Sequence, residues 1–444
     1  MPRDDEAEKS WLAMTSKKRY LSLMESVQKT SDYILELADR CVKCGLCLPQ
    51  CPTYELAINE NESPRGRIAL VQGWLTGNLS LSPTLTQHLD QCLLCRRCER
   101  VCPSQVAYAE IIDQSKILIS QQKNNAFSLQ KIIINNGLRL LLNKKISNVF
   151  IPVLRLFQQV GGFTLTKKTG LLKLIGMQRI TSYLPKLEKP IKTKSFYPAT
   201  KPNLKNENVA LFTGCLSKQL DPKTVSASIK ILNHLGFGVY VPEQQVCCGA
   251  LDLHEGKKEY AASLAAINIK TFNQQHNISA IVSLVNGCTS QLREYSQLQT
   301  KGAFIPEVKD IIEFLAEIEW PENIEFTPLN KAVALQIPCS LQNILRAEGK
   351  LLTLLQRIPG MTLPPEAIHN RCCGAAGTYF LHFPEISDEL QQSAIEKLKQ
   401  TSPKLIISSN IGCALHLKAG LSKDNKDIQV IHPVLLLEKQ LKSN

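Results

Sequence analysis

Apolar residues recur at helical spacing in the first quarter of the chain. Trp11, Met14, Leu21 and Met24 form a loose stripe within residues 1–40. Ile68, Leu70, Val71, Trp74 and Leu75 form a tighter one, and Ile111, Ile112 and Ile119 a third between Val106 and about Gln121. Each predicts a helix with one buried face. Residues 121–205 read as interrupted amphipathic helices over Ile132–Leu142, Val149–Val160 and Leu171–Leu184. Gly161-Gly162 breaks them, and Pro185–Pro202 has the composition of a linker. From about residue 206 short β-branched runs end in cysteine-bearing loops, with helical stretches between them. Val225, Ile229, Leu232 and Leu235 share one such helical face before Gly236 stops it. Strands alternating with helices predict a small parallel α/β sheet.

This last pattern occurs twice. Val209-Ala-Leu-Phe-Thr-Gly-Cys215 matches Val333-Ala-Leu-Gln-Ile-Pro-Cys339, Val246-Cys-Cys-Gly-Ala250 matches Arg371-Cys-Cys-Gly-Ala375, and Ile281–Cys288 matches Ile406–Cys413, at offsets of 124, 125 and 125 residues. Three blocks at one offset indicate a duplicated domain. The expected organisation is a helical domain at 1–120, a basic segment and linker at 121–205, and two α/β copies at 206–325 and 326–444.

Composition narrows the class. The 444 residues are 44% hydrophobic and 20% charged, enough to bury a core and too apolar for general disorder. No run of 18 uncharged apolar residues predicts a membrane span. The opening Met1-Pro-Arg-Asp-Asp-Glu lacks an apolar leader, so a reducing, cytoplasmic setting is expected, where 16 cysteines point to metal ligands before disulfides. The net charge of +13 is local: residues 121–205 carry sixteen Lys and Arg against one acid, Glu188, and the remainder is slightly acidic. Basic charge with apolar residues at helical spacing suits first a helix on an anionic membrane surface, then a face that docks an acidic partner protein, then a solvated basic linker, while the sparse aromatics there argue against nucleic-acid binding.

The cysteines carry the chemistry. Cys41-x2-Cys44-x2-Cys47-x3-Cys51-Pro52 is repeated as Cys92-x2-Cys95-x2-Cys98-x3-Cys102-Pro103. Three thiolates two residues apart wrap one face of an iron–sulfur cubane, and the fourth reaches the other cluster. The spacing therefore predicts one 4Fe–4S cluster on Cys41, Cys44, Cys47 and Cys102, and a second on Cys92, Cys95, Cys98 and Cys51. A pair of zinc sites would call for separated Cys-x2-Cys knuckles instead. Between the motifs, Arg65 and Arg67 read equally as charges offsetting the clusters or as a solvated helix start. In the duplicated half, Cys215, Cys247, Cys248 and Cys288, and Cys339, Cys372, Cys373 and Cys413, form two matched four-thiol sets. They are expected to bind one or two further iron–sulfur clusters, with buried free cysteine as the plain alternative. Adjacent cysteines require a turn, which Gly249 and Gly374 would permit through positive φ. His254 and His416 lie nearby, either as ligands or, more commonly, as satisfied loop histidines. The fold class expected is α+β and α/β multidomain: a helical two-cluster ferredoxin-like domain, then a duplicated small α/β Cys-Cys-Gly domain.

These motifs resemble the iron–sulfur subunits of flavin-linked dehydrogenases and heterodisulfide reductases, and within that group the glycolate oxidase (glycolate dehydrogenase) iron–sulfur subunits. Ser63-Pro-Arg-Gly-Arg67, Cys247-Cys-Gly-Ala-Leu251, Cys372-Cys-Gly-Ala-Ala-Gly-Thr-Tyr379 and Asn410-Ile-Gly-Cys-Ala-Leu-His416 carry the resemblance, over most of residues 35–120 and 205–440. It implies an electron-transfer subunit of an oxidoreductase of glyoxylate metabolism. FAD-containing partner subunits would oxidise glycolate to glyoxylate, and electrons would pass to a quinone or other acceptor. No hydride-accepting motif and no catalytic residue is expected in this chain. Heterodisulfide-reductase-like subunits and those of lactate or anaerobic glycerol-3-phosphate dehydrogenases are the alternatives. One departure weighs against disulfide chemistry. Each copy ends in Cys288-Thr-Ser-Gln291 or Cys413-Ala-Leu-His416, where the heterodisulfide reductase pattern has Cys-x-x-Cys.

Overall fold

The computed structural model describes residues 25, 27–122, 144–163, 166, 178–189, 191, 193–200, 207–275, 277–298, 302–304, 306–424 and 427–442. The stripe at Trp11–Met24 and the helix expected at Ile132–Leu142 lie outside them. The chain forms two compact units: residues 1–92, 97–126 and 254–257, and residues 93–96, 127–253 and 258–444.

The first unit is helical. A helix spans residues 27–39, followed by Pro52–Ala57, Pro64–Leu75, Pro83–Asp90 and Tyr108–Gln122. Helices Pro64–Leu75, Pro83–Asp90 and Tyr108–Gln122 pack on one another, and Ile34, Ile68, Val71, Leu89, Ile111 and Ile112 are all at most 3% exposed. The helix expected from Ile68 starts one turn earlier, and the local chemistry explains why. Ser63 Oγ accepts from Gly66 N at 2.9 Å as the N-cap, and Pro64 takes the first helical position, where its missing N–H costs nothing. Ser82 and Pro83 repeat the device one helix later.

The second unit holds the duplication. Strands β1 (Phe196–Tyr197), β2 (Asn208–Phe212), β3 (Gly238–Tyr240), β4 (Ile278–Ser283) and β5 (Glu307–Asp310) form one sheet in the order β1-β3-β2-β4-β5. Strands β6 (Val333–Gln336), β7 (Ile368–His369), β8 (Leu405–Ser408) and β9 (Gln429–Ile431) form another in the order β7-β6-β8-β9. All pairs are parallel except β1 with β3, so the second sheet repeats the first without its edge strand. That edge strand comes from the stretch read as a linker. Tyr197 pairs with Val239, and the Phe196 and Tyr240 ring centroids lie 4.5 Å apart with the planes tilted by 39°.

The two copies share one core, running from Val209 and Leu232 through Leu315 and Leu335 to Leu351 and Leu437. The packing is reciprocal. Helix Pro222–His234 of the first copy lies on helix Pro433–Gln440 of the second, and helix Ile311–Glu317 on helix Glu348–Leu355. Even the flanking ion pairs correspond, Lys230 with Glu438 and Lys350 with Glu317, each at 2.6 Å. A duplicated domain meeting its copy this way has the self-complementarity of a two-fold dimer interface within one chain.

Candidate functional site

In the first unit the Cys41–Cys47 loop curls through left-handed backbone at Lys43 (φ 54°) and Gly45 (φ 87°), on either side of Cys44. Cys41, Cys44 and Cys47 line one cavity, and Cys102 from the second motif lines it with them, beside Cys98, Pro64 and Ile68. The four cysteines that the spacing groups are thus brought together. Burial pushes the Cys47 thiol up, while the backbone N–H of Arg65 works the other way. The second motif has the same backbone, with Leu94 at φ 49° and Arg96 at φ 55°. Neither is glycine, so this loop stores about 1–2 kcal/mol at each position. Cys95, with residues 93–96, belongs to the second unit, where Asn343 Nδ2 donates to its carbonyl at 2.9 Å.

Cys51, Cys92 and Cys98 gather around a buried polar group that the sequence did not reveal. Tyr108 OH donates to Cys92 Sγ at 3.6 Å, and Thr53 Oγ1 lies 3.2 Å from Cys51 Sγ. Burial pushes the Tyr108 hydroxyl well above its ordinary pKa, helped by Cys92 and, more weakly, by Cys98 and Cys51; it stays a donor. Of the two arginines, Arg65 is near the surface and pairs with Glu60, its Nε donating at 2.7 Å, and its Nη1 donates to Lys43 O. Arg67 is only 1% exposed and pairs with Glu62 at 2.5 Å. Burial opposes its charge, yet Tyr108, Cys92, Cys51 and Glu62 more than offset that and raise its pKa. Glu62 also meets His88 Nδ1 at 2.5 Å. Every residue of Ser63–Arg67 now has a physical reason, including Gly66: a Cβ there would lie 1.9 Å from the Glu60 carbonyl oxygen.

The second unit assembles each four-thiol set beyond the ends of its strands, from turns and from the first turn of a following helix, Asn286–Arg293 for Cys288 and Ile411–Asp424 for Cys413. Cys215 follows β2, Cys288 follows β4, and the Cys247-Cys248-Gly249 turn follows β3. Cys248 Sγ donates to Cys288 Sγ at 3.4 Å, and Gly249 N donates to Cys247 Sγ at 3.5 Å, with Gly249 at φ +84°. Hydrogen bonds from Cys215 and Cys248 hold Cys247 well below the ordinary thiol pKa. Cys215 and Cys248 are pushed up by bonding to Cys247 and by burial. Such a set already favours one thiolate. The turn is held by Asn268, whose Oδ1 accepts from Val246 N and whose Nδ2 donates to Cys247 O, while Tyr295 OH donates to Cys248 O. No sequence signal marked Asn268 or Tyr295, because only the fold brings them to the turn.

The second copy repeats this. Gly374 N donates to Cys372 Sγ at 3.4 Å with Gly374 at φ +85°. Cys372 is raised by its bond with Cys339 and by burial, and Cys413 by its bond with Cys373 and by burial. The histidines separate here. His254 Nδ1 lies 3.2 Å from the Asp113 carboxylate and belongs to the first unit. His416 is 1% exposed beside the second turn, its Nε2 3.3 Å from Ser387 Oγ and its ring stacked on Tyr183.

These donor sets fit iron–sulfur clusters: soft thiols in fours, buried or half-buried except for Cys44, with backbone N–H groups aimed at sulfur. Among the described residues no three Cys, His, Asp or Glu side chains close on a point as they would around a single ion; donors that each bind a different iron need not. No described helix is long and apolar enough to cross a membrane.

Comparison with known proteins agrees. Residues 37–106 match the 4Fe-4S dicluster domain, and residues 209–293 and 333–418 the cysteine-rich domain. The chain is 30% identical to the probable glycolate oxidase iron-sulfur subunit of Bacillus subtilis, over 90% of this chain and 93% of that one. It is equally identical, 30%, to the glycolate oxidase iron-sulfur subunit of Escherichia coli, over 89% and 93%. Lactate utilization protein A of Exiguobacterium sp. is 27% identical over 53% of this chain and 98% of that protein. With the relationship covering about nine-tenths of the chain and both cysteine architectures in agreement, the chain belongs to the family of glycolate oxidase iron–sulfur subunits, oxidoreductase components that carry iron–sulfur clusters.

Proposed function

We propose that this chain relays electrons in a 2-hydroxy-acid dehydrogenase whose FAD-containing partner subunits oxidise glycolate to glyoxylate, and that it delivers them to a quinone. That oxidation releases two electrons and two protons, and a flavin can take the pair. An iron–sulfur cluster carries electrons singly, so a chain of clusters suits the onward path. Cys41, Cys44, Cys47 and Cys102 would hold one 4Fe–4S cluster and Cys92, Cys95, Cys98 and Cys51 a second. The sets Cys215, Cys247, Cys248, Cys288 and Cys339, Cys372, Cys373, Cys413 would hold one or two more. The observation that carries this reading is the cavity in which Cys102 joins Cys41, Cys44 and Cys47.

Relay is favoured over disulfide reduction by positions 291 and 416. They hold Gln and His, both buried, where a further thiol would be needed. The test is to assemble the chain with its flavoprotein partners and add glycolate or lactate under anaerobic conditions. Glycolate should reduce the clusters, seen by electron paramagnetic resonance, and replacing Cys248 or Cys373 by Ser should stop electron flow to the acceptor while leaving flavin reduction by glycolate intact. Cluster reduction by lactate alone would transfer the chain to lactate oxidation.

Helix Lys144–Gln159 supports a peripheral place on the cytoplasmic face of a membrane. Its inner side is tied down by Ile151, 6% exposed, and by Gln158, whose Nε2 donates to Pro185 O at 2.9 Å. Its apolar stripe faces outward instead: Val149, Val153, Leu156 and Val160 are each more than 60% exposed. No acid occurs between residues 121 and 187. An apolar face in a basic segment is what an anionic bilayer surface binds, at about 1 kcal/mol per nearby Lys or Arg. Part of the segment is engaged elsewhere, since Arg179 pairs with Asp388 at 2.7 Å. Val153→Asp with Leu156→Asp should abolish binding to anionic vesicles. Retained binding would show that this face is not the membrane contact.

A further inference from the structure

Two hydroxyl groups face sulfur in the first unit, and a buried cation backs one of them. Tyr108 OH donates to Cys92 Sγ at 3.6 Å, and Thr53 Oγ1 lies 3.2 Å from Cys51 Sγ. Arg67 Nη1 donates to Thr53 Oγ1 at 3.1 Å and to Glu62 O at 2.6 Å, and its Nε donates to His88 O at 2.7 Å. With the cysteines as free thiols, the Thr53 hydroxyl and the Cys51 thiol both donate to Glu62 O, at 2.8 and 3.5 Å. A ligating Cys51 has no proton to give. The Thr53 proton is then free to turn to that sulfur, because Arg67 keeps the Glu62 carbonyl paired and occupies the acceptor side of Thr53.

We propose that Tyr108 and Thr53, the latter aimed by Arg67, are redox-tuning residues that raise the reduction potential of the cluster held by Cys51, Cys92, Cys95 and Cys98. Reduction adds one electron, and its charge spreads onto the ligand sulfurs. A hydroxyl donating to such a sulfur gains strength as the charge grows, so each such bond favours the reduced state. Tyr108 also lines the cavity of the other cysteine set, but among the described contacts no hydroxyl donates to a sulfur of that set: Cys44 is exposed, and Arg65 pairs with Glu60 and Lys43 O. The two clusters should therefore respond separately to changes at positions 53 and 108. The inference rests on the cluster assignment proposed above.

The test is a dithionite titration of the full-length, anaerobically purified chain, followed by electron paramagnetic resonance. Tyr108→Phe and Thr53→Val should each cost the reduced state of one cluster about tenfold in equilibrium, a fall of about 59 mV for one electron. The other cluster should not move, and Thr53→Ser should restore the original midpoint. Unchanged midpoints in both variants, or equal shifts of both clusters, would overturn the tuning role while leaving the cluster assignment intact. Absence of two clusters from the unaltered protein would overturn the assignment itself. If Tyr108→Phe fails to assemble, the Thr53→Val and Thr53→Ser pair decides.

Discussion

The two cysteine-bearing regions reach similar donor sets by opposite routes. In the first unit three of four donors lie within seven residues, and the loop backbone itself arranges them, left-handed at Lys43 and Gly45 around Cys44. In the second unit the donors Cys215, Cys247, Cys248 and Cys288 are spread over 74 residues, and a parallel sheet gathers them beyond its strand ends. A local loop depends on its bound group to hold its shape, whereas a sheet holds its loops with or without one. The first region should thus lose structure with its cluster, and the second should lose only its chemistry.

The largest effect should come from breaking that contrast directly. Cys95→Ser should remove a whole cluster and open the surrounding loops to protease, because in so small a region ligand binding is also folding energy. Cys248→Ser should change the iron content or resonance spectrum of the second region while leaving its melting transition nearly in place. Equal loss of structure in both variants would erase the distinction.

Next in size is the buried pair. Arg67→Met strands Glu62 without its cation in the interior, which should cost about 3–5 kcal/mol. Removing the surface arginine in Arg65→Met should cost far less, because solvent screens its pair with Glu60. Chemical denaturation of the anaerobic protein compares them, and similar losses would mean that Arg67 is not the keystone of the Ser63–Arg67 turn.

The two copies can also be set against each other. Gly249 and Gly374 have nearly the same φ, but a Cβ at Gly374 would lie 2.4 Å from Ser387 O, while at Gly249 the nearest atom is 3.3 Å away. Gly374→Ala should therefore cost about 2–4 kcal/mol, combining strain with overpacking, and Gly249→Ala about 1–2 kcal/mol. Equal melting temperatures for the two variants would contradict this.

One further expected effect is pH-dependent. Burial holds His432 down to about 4, and its Nδ1 accepts from Val434 N at 3.2 Å, an acceptor role only the neutral ring can play. The folded state binds this proton less readily than the unfolded chain, so stability is fully present above pH 6.5 and is lost as pH falls toward 4. At pH 5 the loss is about 2 kcal/mol. His432→Gln should narrow its melting-temperature gap to the unaltered protein between pH 7 and pH 5; a gap that stays constant would exclude His432 as the source.

Much of this organisation was legible in the chain because its signals are periodic or local. The 125-residue repeat foretold matching parallel sheets, and Gly249 and Gly374 their positive φ. Other features depend on packing that no single segment encodes. Arg67 looked as solvated as Arg65 until Glu62, Thr53 and His88 closed around it. The Phe196–Tyr197 strand hid within a proline-rich stretch because only its partner β3 makes it a strand. Spacing alone marks the stripe on helix Lys144–Gln159 as amphipathic, but which face is buried is decided by contacts such as Gln158 with Pro185.

The grouping of Cys102 with Cys41, Cys44 and Cys47, and of Cys51 with Cys92, Cys95 and Cys98, is tested most directly by cluster counting in the anaerobically purified chain. Iron, labile sulfide and resonance spectra should be compared for the unaltered protein and for Cys102→Ser. The expected result is at least about eight iron and about eight sulfide per chain from two cubanes, with Cys102→Ser disturbing the same signal as Cys44→Ser. Stoichiometric zinc without labile sulfide, or a Cys102→Ser signal that matches Cys95→Ser instead, would contradict it.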